Sequence, residues 1–267
     1  MPKSKEAEKT EVVASEAPVE PTPEEVAAEF TPELTPQQVK EKLRALDRKE
    51  ASAEALNRWV PKTALGRQVK SGDIKEIDVV LNLNKRILEA EIVESLVPLE
   101  TDLLAIGQAK GKFGGGKRRA WRQTQKKTME GNRITFSSMA IVGDRKGHVG
   151  VGLGESKETL ASREKAVRRA KLNLIRITRG FENREDTIKA PHTVPFKVQG
   201  KCGSVRLTLY PAPRGTGLVV GNECKKILQL AGIQDVYSSK RGKTRTTFNL
   251  ANACIEALKK TNFEVIQ

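Results

Sequence analysis

The sequence predicts an α+β protein, with a helical N-terminal extension and a disordered acidic tail ahead of it. Three observations carry that reading. Two stretches of alternating apolar residues, Ile134 to Val142 and His148 to Gly154, flank the turn Asp144-Arg145-Lys146-Gly147. A helical pattern follows from Ser156. Beyond Arg179-Gly180, short strands and helices alternate again, which argues for a second α+β unit. The boundaries expected are 1–57 for the tail and a short helix, 58–97 for the helical extension, 98–178 for the first α+β domain and 179–267 for the second.

Residues 1–36 are rich in Glu and Ala, and Pro18, Pro21, Pro23, Pro32 and Pro36 interrupt any helix. From Thr35 to about Leu56, Val39, Leu43 and Leu46 form a narrow helical stripe behind a Thr-Pro start. A helix is expected over Leu81 to Leu96, with Ile87, Leu88, Ile92, Val93 and Leu96 at helical spacing and Pro98 ending it. Glu130-Gly131-Asn132 reads as a hairpin turn. The strand after it places Ile134, Phe136, Ser138, Ala140 and Val142 on one face. Ser156 is the expected cap of the next helix, with Leu160, Val167, Ala170 and Leu174 as its apolar side. Arg163 falls inside that stripe and violates it.

In the second unit, strands are expected over Val194 to Val198, Ser204 to Tyr210 and Ile233 to Tyr237. Pro211 to Gly217 is a tight loop. Asn222 is expected to cap a helix that runs to Leu230, with Gly232 beyond its end. Ser238 to Arg245 reads as a basic turn, and Thr247 to Lys260 as the last helix.

Charge narrows the function classes. The chain of 267 residues carries a net +15, unevenly spread. Residues 1–57 hold 8 Lys/Arg against 13 Asp/Glu, and the remainder holds 40 against 20, a net +20. This exceeds the magnitude of about 2–8 common for small domains, so a polyanionic partner is favoured over a merely solubilising surface. The 11 aromatics are few for a protein that stacks splayed-out bases, so phosphate and shape recognition of folded RNA fits better. No apolar run approaches the roughly 20 residues of a membrane span, and Met1 to Thr10 lacks the apolar core of a secretory signal. Three cysteines, never as C-x-x-C, exclude a disulfide scaffold and suit a reducing compartment.

The stretch Lys110 to Arg133 carries nine cations (Lys110, Lys112, Lys117, Arg118, Arg119, Arg122, Lys126, Lys127 and Arg133) and one acid, Glu130. These, with Arg145, Lys146 and Lys157, are the candidate RNA contacts. Gly111-x-x-x-x-Gly116-Lys117 approaches a phosphate-binding loop, but Arg118 stands where Ser or Thr must reach magnesium, so a basic loop is the better account. Gly150-x-Gly152-x-Gly154 lacks dinucleotide spacing, and its small residues are expected to admit a helix or an RNA backbone at close range. His148 and His192 have no partner at ligand spacing and read as structural, and the three cysteines read as small core residues. No catalytic residue, metal or cofactor is expected.

Several strings carry a family resemblance. Trp59-Val60-Pro61-Lys62-Thr63-Ala64-Leu65-Gly66-Arg67-Gln68-Val69-Lys70 resembles the opening segment of the small-subunit ribosomal protein S-five family in its archaeal and eukaryotic branch. Gly143-Asp144-Arg145-Lys146-Gly147-His148-Val149-Gly150 is similar to that family's central hairpin. Lys189 to Pro195, Pro211 to Gly217 and Ala231 to Val236 are similar to its second domain.

The resemblance implies a double-stranded-RNA-binding-like α-β-β-β-α domain over 98–178 and a second α+β domain after it. It implies a non-enzymatic constituent of the small ribosomal subunit, monomeric within the ribosome and cytoplasmic. It places the family at the back of the subunit, bridging head and body, beside rRNA, proteins S-four and S-eight and the region where mRNA enters, with a role in translational accuracy. The loop residues Pro211, Arg214, Gly215 and Gly217 become a candidate protein contact, with Arg214 either gripping a phosphate or carboxylate or simply solvated. The acidic tail, in place of a Gly-Arg-rich start, points to the archaeal side. Gly107 to Arg119 reads as an insertion before a first strand expected at Trp121 to Thr128. The alternatives are a free-standing double-stranded-RNA-binding regulator and, more remotely, an RNA-dependent NTPase.

Overall fold

A computed structural model describes residues 56–83, 85–109, 118–181 and 190–262. The acidic tail, nearly all of the Thr35 to Leu56 helix, and the glycine run with Lys110, Lys112 and Lys117 lie outside the described residues. The chain divides into two compact units at Asn57/Arg58. All elements described below belong to the second.

Before the first sheet lie helices α1 (Ala64–Ser71), α2 (Ile77–Asn82) and α3 (Ala90–Leu96). The single helix expected over Leu81 to Leu96 is therefore broken, and Glu89 is the reason. Its buried carboxylate accepts the Trp59 indole N–H at 2.8 Å and the backbone N–H groups of Lys62 and Thr63 at 3.0 and 2.7 Å. Residue 89 is held extended, at φ −117° and ψ 124°, and the next helix starts only after it. Ile87 turns into the core, whereas Leu88 is left 66% exposed. Thr63 caps α1 by accepting the Gly66 N–H at 3.1 Å. The opening segment and Glu89 thus fold around one another.

The first sheet is built on β3 (Gly131–Gly143), which is paired along its whole length. On one edge lies β4 (His148–Ser156), followed by β5 (Leu174–Arg176). The other edge is shared end to end by β2 (Trp121–Thr128), against residues 131–138, and β1 (Glu100–Leu103), against residues 140–143. The strand at Trp121 to Thr128 is where it was expected, while β1 and β5 were not anticipated. The hairpin turn is Met129–Glu130, with Gly131 already in the strand.

Helix α4 (Thr159–Leu172) crosses the face of β3 and β4. It starts after Glu158, without a side-chain cap, rather than at Ser156. Its buried face is Ser162, Ala166 and Ala170, not the stripe through Leu160, which is 63% exposed. Arg163 remains half-buried, with its Nε shielded from solvent and without a hydrogen-bond partner among the described residues. The cause of the shifted face is β4. A Cβ on Gly150, Gly152 or Gly154 would lie 2.1–2.2 Å from backbone atoms of Ala170 or Ser162. Strand and helix touch backbone to backbone, so only small residues fit on either side. This is the helix approach expected of the glycine alternation.

The second sheet has the order β6 (Val198–Cys202), β7 (Val205–Pro211), β9 (Val236–Arg241), β8 (Leu218–Val219), with β8 and β9 parallel. Helices α5 (Asn222–Ala231) and α6 (Thr247–Lys259) accompany it. The strand expected over Val194 to Val198 is not formed: β6 begins only at Val198, and Pro195 has no N–H for a ladder. Ile233 to Asp235 stay outside β9, since Gln234 and Asp235 donate to the His192 carbonyl at 2.9 and 3.3 Å. β9 then runs through half of the expected basic turn, pairing with Arg206 to Leu209. Gly221, not Asn222, is the N-cap of α5; Gly232 ends it at φ +81°.

From Ser137 to Gly143 both faces of β3 are buried. Ala140 and Val142 meet Ala166 and Ala170 of α4. Met139 and Ile141 join one continuous core with Leu207, Leu209, Ile227, Leu228, Leu250 and Leu258 from the second half.

Candidate nucleic-acid interface

The β4 pairing of β3 stops at Phe136, opposite Ser156, but β2 and β3 continue. Residues 124–128 and 131–135 therefore form a two-stranded ribbon beyond the sheet. Almost every side chain on it is exposed, and Met129 at its tip is fully so. Such ribbons are marginal in water by themselves. Trp121 and Phe136 brace the root edge-to-face, with ring centroids 5.5 Å apart, and Thr124 and Thr135 share a hydroxyl bond of 2.7 Å.

Charge on the ribbon is not balanced. Lys126 and Arg133 are direct cross-strand partners on one face, with Arg122 further back on the same face, and Lys127 points the other way opposite Asn132. Like charges directly opposite each other destabilise a strand pair. Lys157 is exposed just past the end of β4, at the ribbon's root. Arg122, Lys126, Lys127, Arg133 and Lys157 thus share one end of the sheet.

The other sequence candidates lie elsewhere. Arg118 and Arg119 are in the segment leading into β2: Arg118 sits 3.8 Å from Glu223, and Arg119 stacks 4.8 Å over the Trp121 ring. Arg145 and Lys146 occupy the turn at the far end of β3, about 40 Å from the ribbon tip for a 13-residue strand. The Arg145 guanidinium is paired with Glu100 at 2.7 Å, so its charge is compensated within the chain.

Arg214 in the loop after β7 donates to the Ala190 carbonyl at 3.0 Å, so it is not simply solvated. Gly215 and Gly217 have φ of +87° and +72°, and the Gly217 N–H donates to Asp235 at 2.7 Å.

His148 does have carboxylate partners, contrary to the sequence reading. Its Nδ1 lies 2.6 Å from Asp144 and its Nε2 2.9 Å from Asp78. The first is four residues away across the tight turn, a spacing visible in the sequence; the second comes from α2, and no local pattern reveals it. Cys224 and Cys254 are buried, and Cys202 is half-buried. The contact with Cys224, together with burial, pushes the Cys254 thiol well above its ordinary range. Among the described residues no three His, Cys, Asp or Glu side chains group as metal ligands. β1 runs antiparallel to β3, unlike the strand that leads into a nucleotide-binding phosphate loop.

Such a site, a cationic ribbon on a two-sheet α+β scaffold, marks a basic α+β protein whose exposed charge suits a polyanionic partner. Comparison with known proteins gives the particular family. The family model described as Ribosomal protein S5, N-terminal domain, matches residues 120–178, and that described as Ribosomal protein S5, C-terminal domain, matches residues 200–264. Small ribosomal subunit protein uS5 of Nanoarchaeum equitans is 49% identical over 206 residues, 77% of this chain and 88% of its own. The proteins of the same name from Methanocaldococcus jannaschii and Thermofilum pendens are 43% and 44% identical over 78% and 76% of this chain and 89% and 94% of their own. The chain belongs to the ribosomal protein S5 family, in its archaeal branch, and is a structural, non-enzymatic ribosomal protein.

Proposed function

We propose that the chain binds small-subunit rRNA through the β2–β3 ribbon and serves there as an architectural part of the subunit. The observation that carries this reading is the direct opposition of Lys126 and Arg133 on a ribbon that projects past its sheet. Phosphates between and beside these side chains turn a repulsive pair into a clamp. The succession β2, β3, β4, α4 supports reading 98–178 as the double-stranded-RNA-binding-like domain, with 179–267 as its α+β companion; the leading helix, α3, lies before residue 98, and β1 stands between it and β2. The family resemblance supports a position at the back of the subunit in the cytoplasm, bridging head and body, beside S-four and S-eight and close to where mRNA enters. In this reading the Pro211–Gly217 loop meets S-four and contributes to accuracy, and the protein is a monomer within the ribosome.

The test is co-sedimentation of the full chain with small subunits at low and high salt. One copy per subunit, retained at high salt, is the expected result. Loss at moderate salt, with preserved binding to free duplex RNA, would favour the free-standing regulator instead.

A further inference from the structure

A groove of about 700 Å³ opens between the root of the ribbon and the start of α6. We propose that it is a second RNA-backbone site, formed jointly by the two halves of the chain; this rests on the RNA-binding reading above. Arg118, Arg119 and Arg122 from the segment that enters β2, and Arg245 from the turn before α6, line it together with Trp121 and Thr247. Among the described residues lining it, none is acidic.

Four guanidinium groups around one concavity repel one another unless an anion lies among them. Glu223 lies 3.8 Å from Arg118, too far for the paired hydrogen bonds a guanidinium fork makes. Arg119 is held flat over Trp121, which orients its fork in advance.

Both segments are fixed by backbone. Gly107 donates to the Arg119 carbonyl at 2.9 Å, and a Cβ on Gly107 would meet the Trp121 carbonyl at 2.2 Å. Before α6, Thr246 donates to the Lys243 carbonyl at 3.2 Å and so sets the turn that carries Arg245. Arg122 belongs to the groove and to the charged face of β2 at once. An RNA strand seated on the ribbon therefore continues into the groove without leaving cationic surface, which selects a polynucleotide over a lone phosphate. The sequence gives Arg245 only as part of a basic turn, over a hundred residues from the other three.

The experiment titrates the full chain against a labelled hairpin of small-subunit rRNA sequence at several salt concentrations. Arg118→Gln with Arg245→Gln is expected to weaken binding about tenfold and to lower the log–log salt slope by about 2, one unit for each lost phosphate contact. Lys75→Gln with Lys85→Gln, the same charge change in the segments on either side of α2, is expected to leave both unchanged. An unaltered melting temperature of the groove variant shows that it is folded. Unchanged affinity and slope in the groove variant, with loss in Lys126→Gln plus Arg133→Gln, overturns the second site and leaves the ribbon reading standing. No loss in either variant removes the RNA-binding reading too. Competition by inorganic phosphate at equal phosphate concentration, or loss of oligo-glutamate binding in the groove variant with RNA binding intact, assigns the groove to a small anion or an acidic peptide and overturns the proposal.

Discussion

His148 and Asp78, seventy residues apart in sequence, meet with Nε2 and Oδ1 2.9 Å apart. The other ring nitrogen faces Asp144 at 2.6 Å, so the imidazole ties α2 to the turn between β3 and β4. The hydrogen bond with Asp144 raises the His148 pKa above 6.5; burial opposes it, and Asp78 adds to it. Arg176 lies 3.6 Å from the same Asp78 oxygen and shares that carboxylate with the ring.

A group whose pKa is raised by folding stabilises the fold in full below its unfolded value. That stabilisation disappears as pH rises through the folded value. Melting temperature is therefore expected to fall as pH is raised from 6 through the raised pKa of His148. His148→Ala should cost about 1.5–3 kcal/mol in the acidic part of that window and remove the dependence. A wild-type profile with the same slope as the variant's would refute the clamp. At the acid end, burial raises the Asp144 pKa, but the His148 ring and two backbone N–H donors outweigh it and hold it low. Its contribution is lost only as pH falls through that lowered value.

Gly152→Ala tests the seam between β4 and α4. The new Cβ would lie 2.2 Å from Ala170 N and 2.3 Å from Ala166 O, both backbone atoms that cannot rotate away. Destabilisation of about 3 kcal/mol or more, at or beyond the usual range for overpacking, is expected in urea unfolding. A loss under 1 kcal/mol would mean the helix sits further from the strand.

Glu89→Ala should release the opening segment before the rest of the chain unfolds. It leaves the Thr63 and Lys62 N–H groups and the Trp59 indole without their acceptor, at about 1–3 kcal/mol for each one that stays buried. A red shift of tryptophan fluorescence and faster hydrogen exchange at Thr63 and Gly66 are the expected signs, with the amides of β3 still protected.

Lys126→Gln should move stability and binding in opposite directions. Removing one of two directly opposed cations relieves about 0.2–1 kcal/mol of repulsion in the free protein. RNA affinity should fall and the salt slope should shrink by about 1. A variant that is less stable and binds RNA equally well would show that the pair has no phosphate partner.

In the loop after β7, Gly215→Val forces a β-branched residue to φ +87° and should cost about 1–2 kcal/mol of isolated-protein stability. Arg214→Glu removes one exposed bond to the Ala190 carbonyl and should leave the melting temperature nearly unchanged while reducing incorporation into subunits. Normal incorporation and normal accuracy would leave Arg214 as a loop brace only.

Local patterns in the sequence were enough for what local patterns control. Alternation located β3 and β4, and Gly232 marked the end of α5, whereas β2 was placed by the family resemblance rather than by a local pattern. What failed was set by distant partners. The break before Ala90 depends on donors from Trp59, Lys62 and Thr63, and no periodicity window spans that distance. The face of α4 was misjudged because apolar side chains normally mark the buried side, whereas here glycines on β4 demand small ones. The cationic stretch was legible as charge density, but its split between ribbon, groove and insertion depends on where β4 stops.

The continuous core described above has a consequence for how the chain is made. Met139 and Ile141 are translated well before Leu228, Leu250 and Leu258, which cover them. A nascent chain emerging N-terminus first can close the α4 side of the first sheet early, since Ala166 and Ala170 follow soon after β4. The opposite side stays bare until α5 and α6 have left the ribosome that is synthesising them. Until then the new protein carries an apolar patch beside a strongly cationic ribbon, a combination prone to premature association with RNA and with other unfinished chains. Its safe delivery to the subunit therefore depends on α6 being in place.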